Sequence, residues 1–169
     1  MKRSLFFLAV VLVLGAAACK PKVKTSEITS LQRKEAATLV SEAEFAMQIR
    51  DLPRAEGLFA KATALCPDDG KYWVDLGSLR VRLGNKDAAR AAYKSALAAY
   101  ETLAADGKDS QPWLQQVYVL ALLGRTDDAR AMLERAQKKF PDDRDVRAFV
   151  ENKQLDQMIA HPRFKEIAL

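Results

Sequence analysis

The sequence predicts an all-α fold, a stack of antiparallel helix pairs, and three observations predict it. Glycine and proline are scarce, 7 and 6 in 169 residues, and they fall at wide intervals. Apolar residues recur at helical spacing, as in Leu76, Leu79, Val81 and Leu83, or Val117, Leu120, Ala121 and Leu123. Blocks of alanine and aromatic residues repeat along the chain, and no stretch shows sustained strand alternation bounded by hairpin signals.

Residues 1–18 read as a signal peptide. Lys2 and Arg3 form a charged head, Leu5 to Leu14 an apolar middle, and Gly15 to Ala18 a small-residue cleavage site. The apolar middle falls short of the roughly 20 residues that span a bilayer. Ala16-Ala17-Ala18-Cys19 resembles the bacterial lipobox, with Ala16 where Leu is commonest. That resemblance implies that Cys19 is diacylated and becomes the new N-terminus. The same residues also satisfy the A-x-A rule of ordinary signal peptidase, which would leave Cys19 unlipidated. Lys20 after the cysteine points to the outer rather than the inner membrane.

Residues 19–28 read as a basic tether. Pro21 breaks helix, and Lys20, Lys22 and Lys24 repeat a charge at every second place. Against anionic headgroups each lysine would add about 1 kcal/mol. With Cys19 acylated only Cys66 remains, so no internal disulfide is expected and stability must come from a core. Removing the first 18 residues leaves 151, enough for one domain with a hydrophobic interior.

Three blocks define the repeat. Ala55-x3-Phe59-x2-Ala62 is followed by Pro67, then comes Ala89-x3-Tyr93-x2-Ala96, then Ala129-x3-Leu133-x2-Ala136 with Pro141. Trp73-x2-Leu76-Gly77 opens the second block and Trp113 the third. This resembles the tetratricopeptide repeat, with its W-x2-L-G-x2-Y, A-x3-F and P signature at a period of 34. Ala55 and Ala89 are 34 residues apart, and Ala89 and Ala129 are 40 apart, a repeat plus six. The implied fold is an α-solenoid of about three repeats over 29–169. The repeats fall near 36–69, 70–105 with an extension to 109, and 110–143. A capping segment follows over 144–169.

The residue types suit that fold. Ala55, Ala89, Ala96, Ala129 and Ala136 stand where paired helices cross, and Gly77 allows close approach on the first helix. Phe59, Trp73, Leu76 and Tyr93 fill the space between units. Gly84 ends a helix, where a left-handed backbone favours glycine. Asp51, Asn85 and Thr126 stand where a short polar side chain caps the next helix. Thr29 to Gln32 predicts a capping box opening a long first helix through Arg50. The departures are Arg80 in place of Tyr, Glu101 in place of Pro, and six extra residues. The extra residues predict a lengthened helix stopping near Asp106-Gly107, with Ser110 capping the next. After Asp143 a lone helix and a short turn are expected. His161-Pro162-Arg163-Phe164 resembles the D-P-R-F tail of many family members, with Phe164 and Ile167 covering the open end of the stack.

No catalytic constellation is present. His161 is the sole histidine and precedes a proline, as in a turn. Asp68-Asp69, Asp127-Asp128 and Asp142-Asp143 recur at turns, where carboxylates favour helix N-termini. No metal cluster, phosphate loop or nucleophile elbow is visible. Cys66 reads as a buried small residue. No cofactor is expected, and the chain reads as non-catalytic.

What remains is a binding surface. The family resemblance implies a concave groove lined by the first helix of each repeat. The matching positions are Val40, Glu44, Met47 and Gln48, then Lys71, Val74, Ser78, Val81 and Arg82, then Gln111, Leu114, Tyr118 and Leu122. Tyr118 is the candidate anchor. The Lys, Asn and Arg set with which chaperone-binding members clamp a carboxylate is mostly absent, so that function does not carry over. An apolar groove suits a segment of another envelope protein. Equally, its side chains would pack against the N-terminal helix, the cap or a second copy. The net charge is +5, without a basic stripe interleaved with aromatics, so nucleic acid is not an expected partner. The expected function is a lipid-anchored adaptor in the bacterial envelope. The alternatives are a self-associating module and a regulator of a periplasmic cell-wall enzyme.

Overall fold

The computed structural model describes residues 27–169. The signal peptide, Cys19 and the tether up to Ser26 lie outside the described residues. The described residues form nine helices: α1 Ser30–Gln48, α2 Leu52–Leu65, α3 Gly70–Arg82, α4 Lys86–Ala104, α5 Gln111–Leu122, α6 Thr126–Lys139, α7 Arg144–Glu151, α8 Gln154–Ala160 and α9 Pro162–Lys165. They pair as α1 with α2, α3 with α4 and α5 with α6. The result is an α-solenoid.

Each pair is closed by small residues. Ala55, Ala62, Ala89, Ala96, Ala129 and Ala136 are all fully buried. No bulkier side chain would let the helix axes approach as closely. Tyr93 and Phe59 are the largest fully buried side chains. Tyr93 on α4 lies flat on the place where Gly77 of α3 lacks a side chain; a Cβ there would sit 2.6 Å from Cδ1 of the ring. Trp73 bridges the two halves of the core, touching the cluster around Tyr93 and the cluster around Phe59 and Leu76. Cys66 is buried at the end of α2, and burial pushes its thiol above the usual range.

The turns inside the pairs share one geometry. Gly84 and Gly124 take positive φ of 80° and 72°, and Arg50 takes 62° at the equivalent place in the first pair. The same backbone bond spans each turn: Asp51 N–H to the Ala46 carbonyl, Asn85 to Arg80, and Arg125 to Leu120. This is the Schellman pattern. The first helix therefore stops at Gln48 rather than Arg50. An arginine holds the left-handed position at a cost that glycine avoids.

Caps follow the sequence in part. Thr29 and Gln32 form the capping box on α1, and Asp51 and Asn85 cap α2 and α4. Thr126 does not cap α6, because it is the first helical residue and Arg125 holds the cap position. Ser110 holds the cap position of α5, yet makes no cap bond; its hydroxyl donates to Asp143 at 2.9 Å. Asp109 accepts from the Gln111 N–H instead. Asp69 and Asp143 cap α3 and α7. The backbone N–H of Val146 and then the Ser110 hydroxyl hold Asp143 below the usual carboxylate range.

The departures from the repeat pattern each have a structural answer. Arg80 bridges pairs, with Nε 2.8 Å from Glu56 on α2 and Nη1 3.3 Å from the Ala88 carbonyl at the start of α4. Helix α4 runs for 19 residues against 14 in α2 and α6, about one and a half turns more, and Gly107 follows at φ 65°. Trp73 donates to the Pro67 carbonyl at 3.0 Å, but Trp113 Nε1 is buried without a protein acceptor. Trp113 is held instead by Phe140 edge-on and Lys139 over its ring.

The cap is not one lone helix. The chain leaves α7 through Lys153 at φ 50° and doubles back as α8, which buries Leu155. His161 accepts from the Arg163 N–H and starts α9. Phe164 and Ile167 do not cover the outer end of the stack, because the chain turns inward after α8.

Gly77→Ala tests the close approach. Alanine is the better helix former by about 1 kcal/mol. Its Cβ would collide with a fully buried ring that has nowhere to move, and such overpacking costs about 1–3 kcal/mol. We expect a net loss of about 1 kcal/mol, read by urea denaturation, with Tm lower by about 3 °C.

Candidate functional site: the concave face

Helices α1, α3 and α5 line the inner face of the solenoid. The 3.6-residue period aligns Lys71, Val74, Asp75, Ser78 and Arg82 along one side of α3. Gln111, Leu114, Gln115, Tyr118 and Leu122 align in the same way on α5.

The expected groove residues separate into two sets. Val40, Val74, Leu114 and Leu122 are buried and belong to the core beneath the face. Val81 is half-buried against the C-terminal core. Glu44, Gln48, Lys71, Arg82 and Gln111 are exposed, and Met47, Ser78 and Tyr118 are half-buried. The accessible face is therefore more polar than the sequence suggested, because the apolar members of each helical stripe turn inward.

Three clefts open on this face, and Tyr118 borders all of them. One of about 300 Å³ is lined by Glu44, Met47, Asp75, Ser78, Arg82 and Tyr118, with Ile167 at one side. A second of about 440 Å³ lies between Lys71, Asp75, Tyr100, Gln115 and Tyr118. A third of about 450 Å³ separates α5 from the cap, between Gln111, Gln115 and Tyr118 on one side and Asp145, Phe149 and Gln154 on the other. Tyr118 also meets Phe164 edge-on at 6.0 Å. The cap thus covers part of the third repeat's inner face.

Asp75, Tyr100 and Gln115 were not among the sequence candidates. Asp75 and Gln115 were legible, since each stands four residues after a chosen position, Lys71 or Gln111. Tyr100 was not, because it comes from the second helix of its pair and reaches the groove over Gly70, whose missing Cβ makes room for the ring.

Asp75 dominates the electrostatics. Burial pushes its carboxyl above the usual range, against the pull of Lys71, which bonds to it at 2.7 Å; Glu44 adds a like charge. Burial, the largest single influence, lowers Lys71, but the bond to Asp75 together with the charges of Asp75, Glu44 and Asp69 outweighs it and leaves the ammonium above its usual value. Burial also holds the Tyr93 phenol up at about 12, so its hydroxyl stays a donor at physiological pH. Among the described residues no cluster of His, Cys, Asp or Glu is placed to hold a metal ion.

Lys71→Met tests the pair. It leaves Asp75 half-buried beside Glu44 with no cation, so its carboxyl titrates higher still. A group with a raised folded pKa favours the folded state in its protonated form, so stability falls as pH rises through that value. We expect a loss of up to about 1 kcal/mol at pH 7 that shrinks as pH is lowered towards 4. Thermal melts across that range read it.

Tetratricopeptide-repeat family models match residues 41–106 and 110–150, together more than half of the chain. Among solved structures, the chain is similar to the TPR domain of OM64 from Arabidopsis. Identity is 16%, the TM-score is 0.43, and the match covers 75% of this chain and 98% of that one. It is also similar to SycD, the type III secretion translocator chaperone of Yersinia enterocolitica. There identity is 19%, the TM-score is 0.47, and coverage is 73% of this chain and 87% of that one. No curated protein matches the sequence. With its repeat signature, its paired helices and both family matches in agreement, the chain belongs to the tetratricopeptide-repeat family, and its stacked pairs form a protein-interaction scaffold.

Proposed function

We propose that this chain is a non-catalytic adaptor of the bacterial cell envelope. In this reading it is anchored by lipid on Cys19 at the periplasmic face of the outer membrane, and it binds a segment of a protein partner on its concave face. The observation that carries the binding half is the meeting of three clefts at Tyr118, an aromatic side chain half-buried among charged and polar neighbours. An amphipathic tyrosine in such a place is a favoured anchor for a partner chain. The anchoring half rests on the order of residues 1–24: charged head, apolar run, small residues, cysteine, then alternating lysines.

Self-association is the second reading, and one observation favours it. Leu31, Phe45 and Ile49 on α1 are exposed, and no helix pair among the described residues covers them. Phe45 and Ile49 are one turn apart and form a continuous apolar step.

Crosslinking and capture from native envelopes separates the readings. Val74 and Leu114 are buried, so charged substitutions there would unfold the chain. Met47→Ala/Arg82→Glu/Tyr118→Ala changes the accessible face instead. We expect the wild type to capture an envelope protein and the variant to lose at least nine-tenths of it, with circular dichroism unchanged. Capture of the chain's own copies alone, abolished by Phe45→Asp, would favour self-association.

Cys19→Ala tests the anchor. We expect the protein to move from the membrane pellet to the soluble periplasmic fraction, and metabolic palmitate labelling to disappear. Unchanged membrane association would argue against lipid on that residue.

A further inference from the structure

The inner face already holds a peptide. After α9 the chain runs on as Glu166–Leu169 and crosses the inside of α3 and α5. Tyr93 Oη donates to the Ile167 carbonyl at 2.5 Å. The Leu169 N–H donates to the Leu122 carbonyl at 2.9 Å. Phe164 is buried against Tyr118, and Ile167 forms one wall of the cleft beside Ser78 and Arg82. Both hydrogen bonds involve the tail's main chain, which turns so that the Ile167 and Ala168 N–H groups both bond to the Phe164 carbonyl; they would accept any segment that takes this turn with an apolar side chain at the Ile167 position.

The Leu122 carbonyl is an acceptor left over by the helix. At the end of α5 the carbonyls of Val119, Leu120 and Ala121 are taken by Leu123, Arg125 and Gly124, and that of Leu122 takes the Leu169 N–H instead of a bond from its own turn. A helix leaves its last carbonyls without internal partners. The equivalent carbonyls on α1 and α3 are those of Gln48 and Arg82. Neither takes a backbone partner among the described residues. Each first helix thus ends on a carbonyl without a partner in its own turn, and the tail uses the one on the third repeat.

We propose that the groove between α3 and α5 is a site for a short apolar peptide segment folded in a turn, and that Phe164–Leu169 is its built-in occupant. An outside segment of the same chemistry takes the bonds to Tyr93 Oη and the Leu122 carbonyl by displacing this tail. The proposal deepens the adaptor reading and rests on it for the identity of the occupant as a partner segment. The tail and its groove are on one chain, so the exchange can be measured without that partner.

The experiment uses fluorescein-labelled FKEIAL, the chain's own last six residues, and reads anisotropy. The receptors are the wild-type chain and Ile167→Asp/Leu169→Asp, whose carboxylates expel the tail Phe164–Leu169 from the groove. We expect the peptide to bind the variant at least tenfold more tightly than the wild type. A peptide with Asp at the isoleucine position should bind neither, and Tyr93→Phe in the variant should weaken binding about fivefold. In the wild type, excess FKEIAL should speed amide exchange over residues 166–169 while α3 and α5 stay protected. That second measurement decides the matter even if the double variant unfolds. Equal binding to folded wild type and variant, no binding to either, or an unchanged exchange rate for the tail overturns the proposal. Such a failure leaves capture by the face around Met47 and Arg82 standing. Capture by the Met47/Arg82/Tyr118 variant equal to that by the wild type, with peptide exchange intact, would instead sink the adaptor reading alone.

Discussion

The structure depends on how closely the second helix of each pair can lie on the first. Alanines at the crossings set the distance, and Gly77 sets it most sharply, because the ring of Tyr93 lies where its side chain would be. Tyr93 then carries that contact into the rest of the molecule. Its hydroxyl, fixed by a ring that cannot turn, is 3.3 Å from Ser78 on the groove and bonds to the tail at Ile167. A buried hydroxyl needs a partner, and here the partner is the C-terminal segment. Packing inside one helix pair thus determines where the end of the chain goes.

The same geometry shapes the inner face. Close pairing turns Val74, Leu114 and Leu122 into the core, and it leaves Glu44, Lys71, Asp75 and Arg82 as the accessible charges. Tyr118 stands between them and marks the change from the open half of the groove to the half covered by α7–α9. On the adaptor reading proposed here, a partner segment would meet charged and polar groups near the first repeat and apolar contacts near the third, an asymmetry that would orient it as well as hold it.

Much of this was legible in the residues. The Ala-x3-Phe-x2-Ala blocks located the crossings, Gly84 located a turn, and the six extra residues located the long α4. Arg50 was not legible as a turn residue, since its left-handed backbone is imposed by the repeat geometry rather than by its own preference. Ser110 and Thr126 looked like caps because local rules see only the next three residues; Asp143 draws Ser110 away from across the fold. The helical stripes named the right side of α3 and α5, but no stripe says which members reach the surface. The path of the tail was the least legible feature. His161-Pro162 announces a turn, yet the direction after it is set by Tyr93 and Leu122, which lie far back in the sequence.

Photo-crosslinking in living cells tests the central claim, that the concave face is the working surface. A photoreactive amino acid would replace Arg82 on that face in one strain and Lys94, exposed on α4, in another. The account predicts a crosslink from position 82 to one envelope protein and none of that product from position 94. The same product from position 94, or crosslinks from position 82 to the chain's own copies alone, would contradict it.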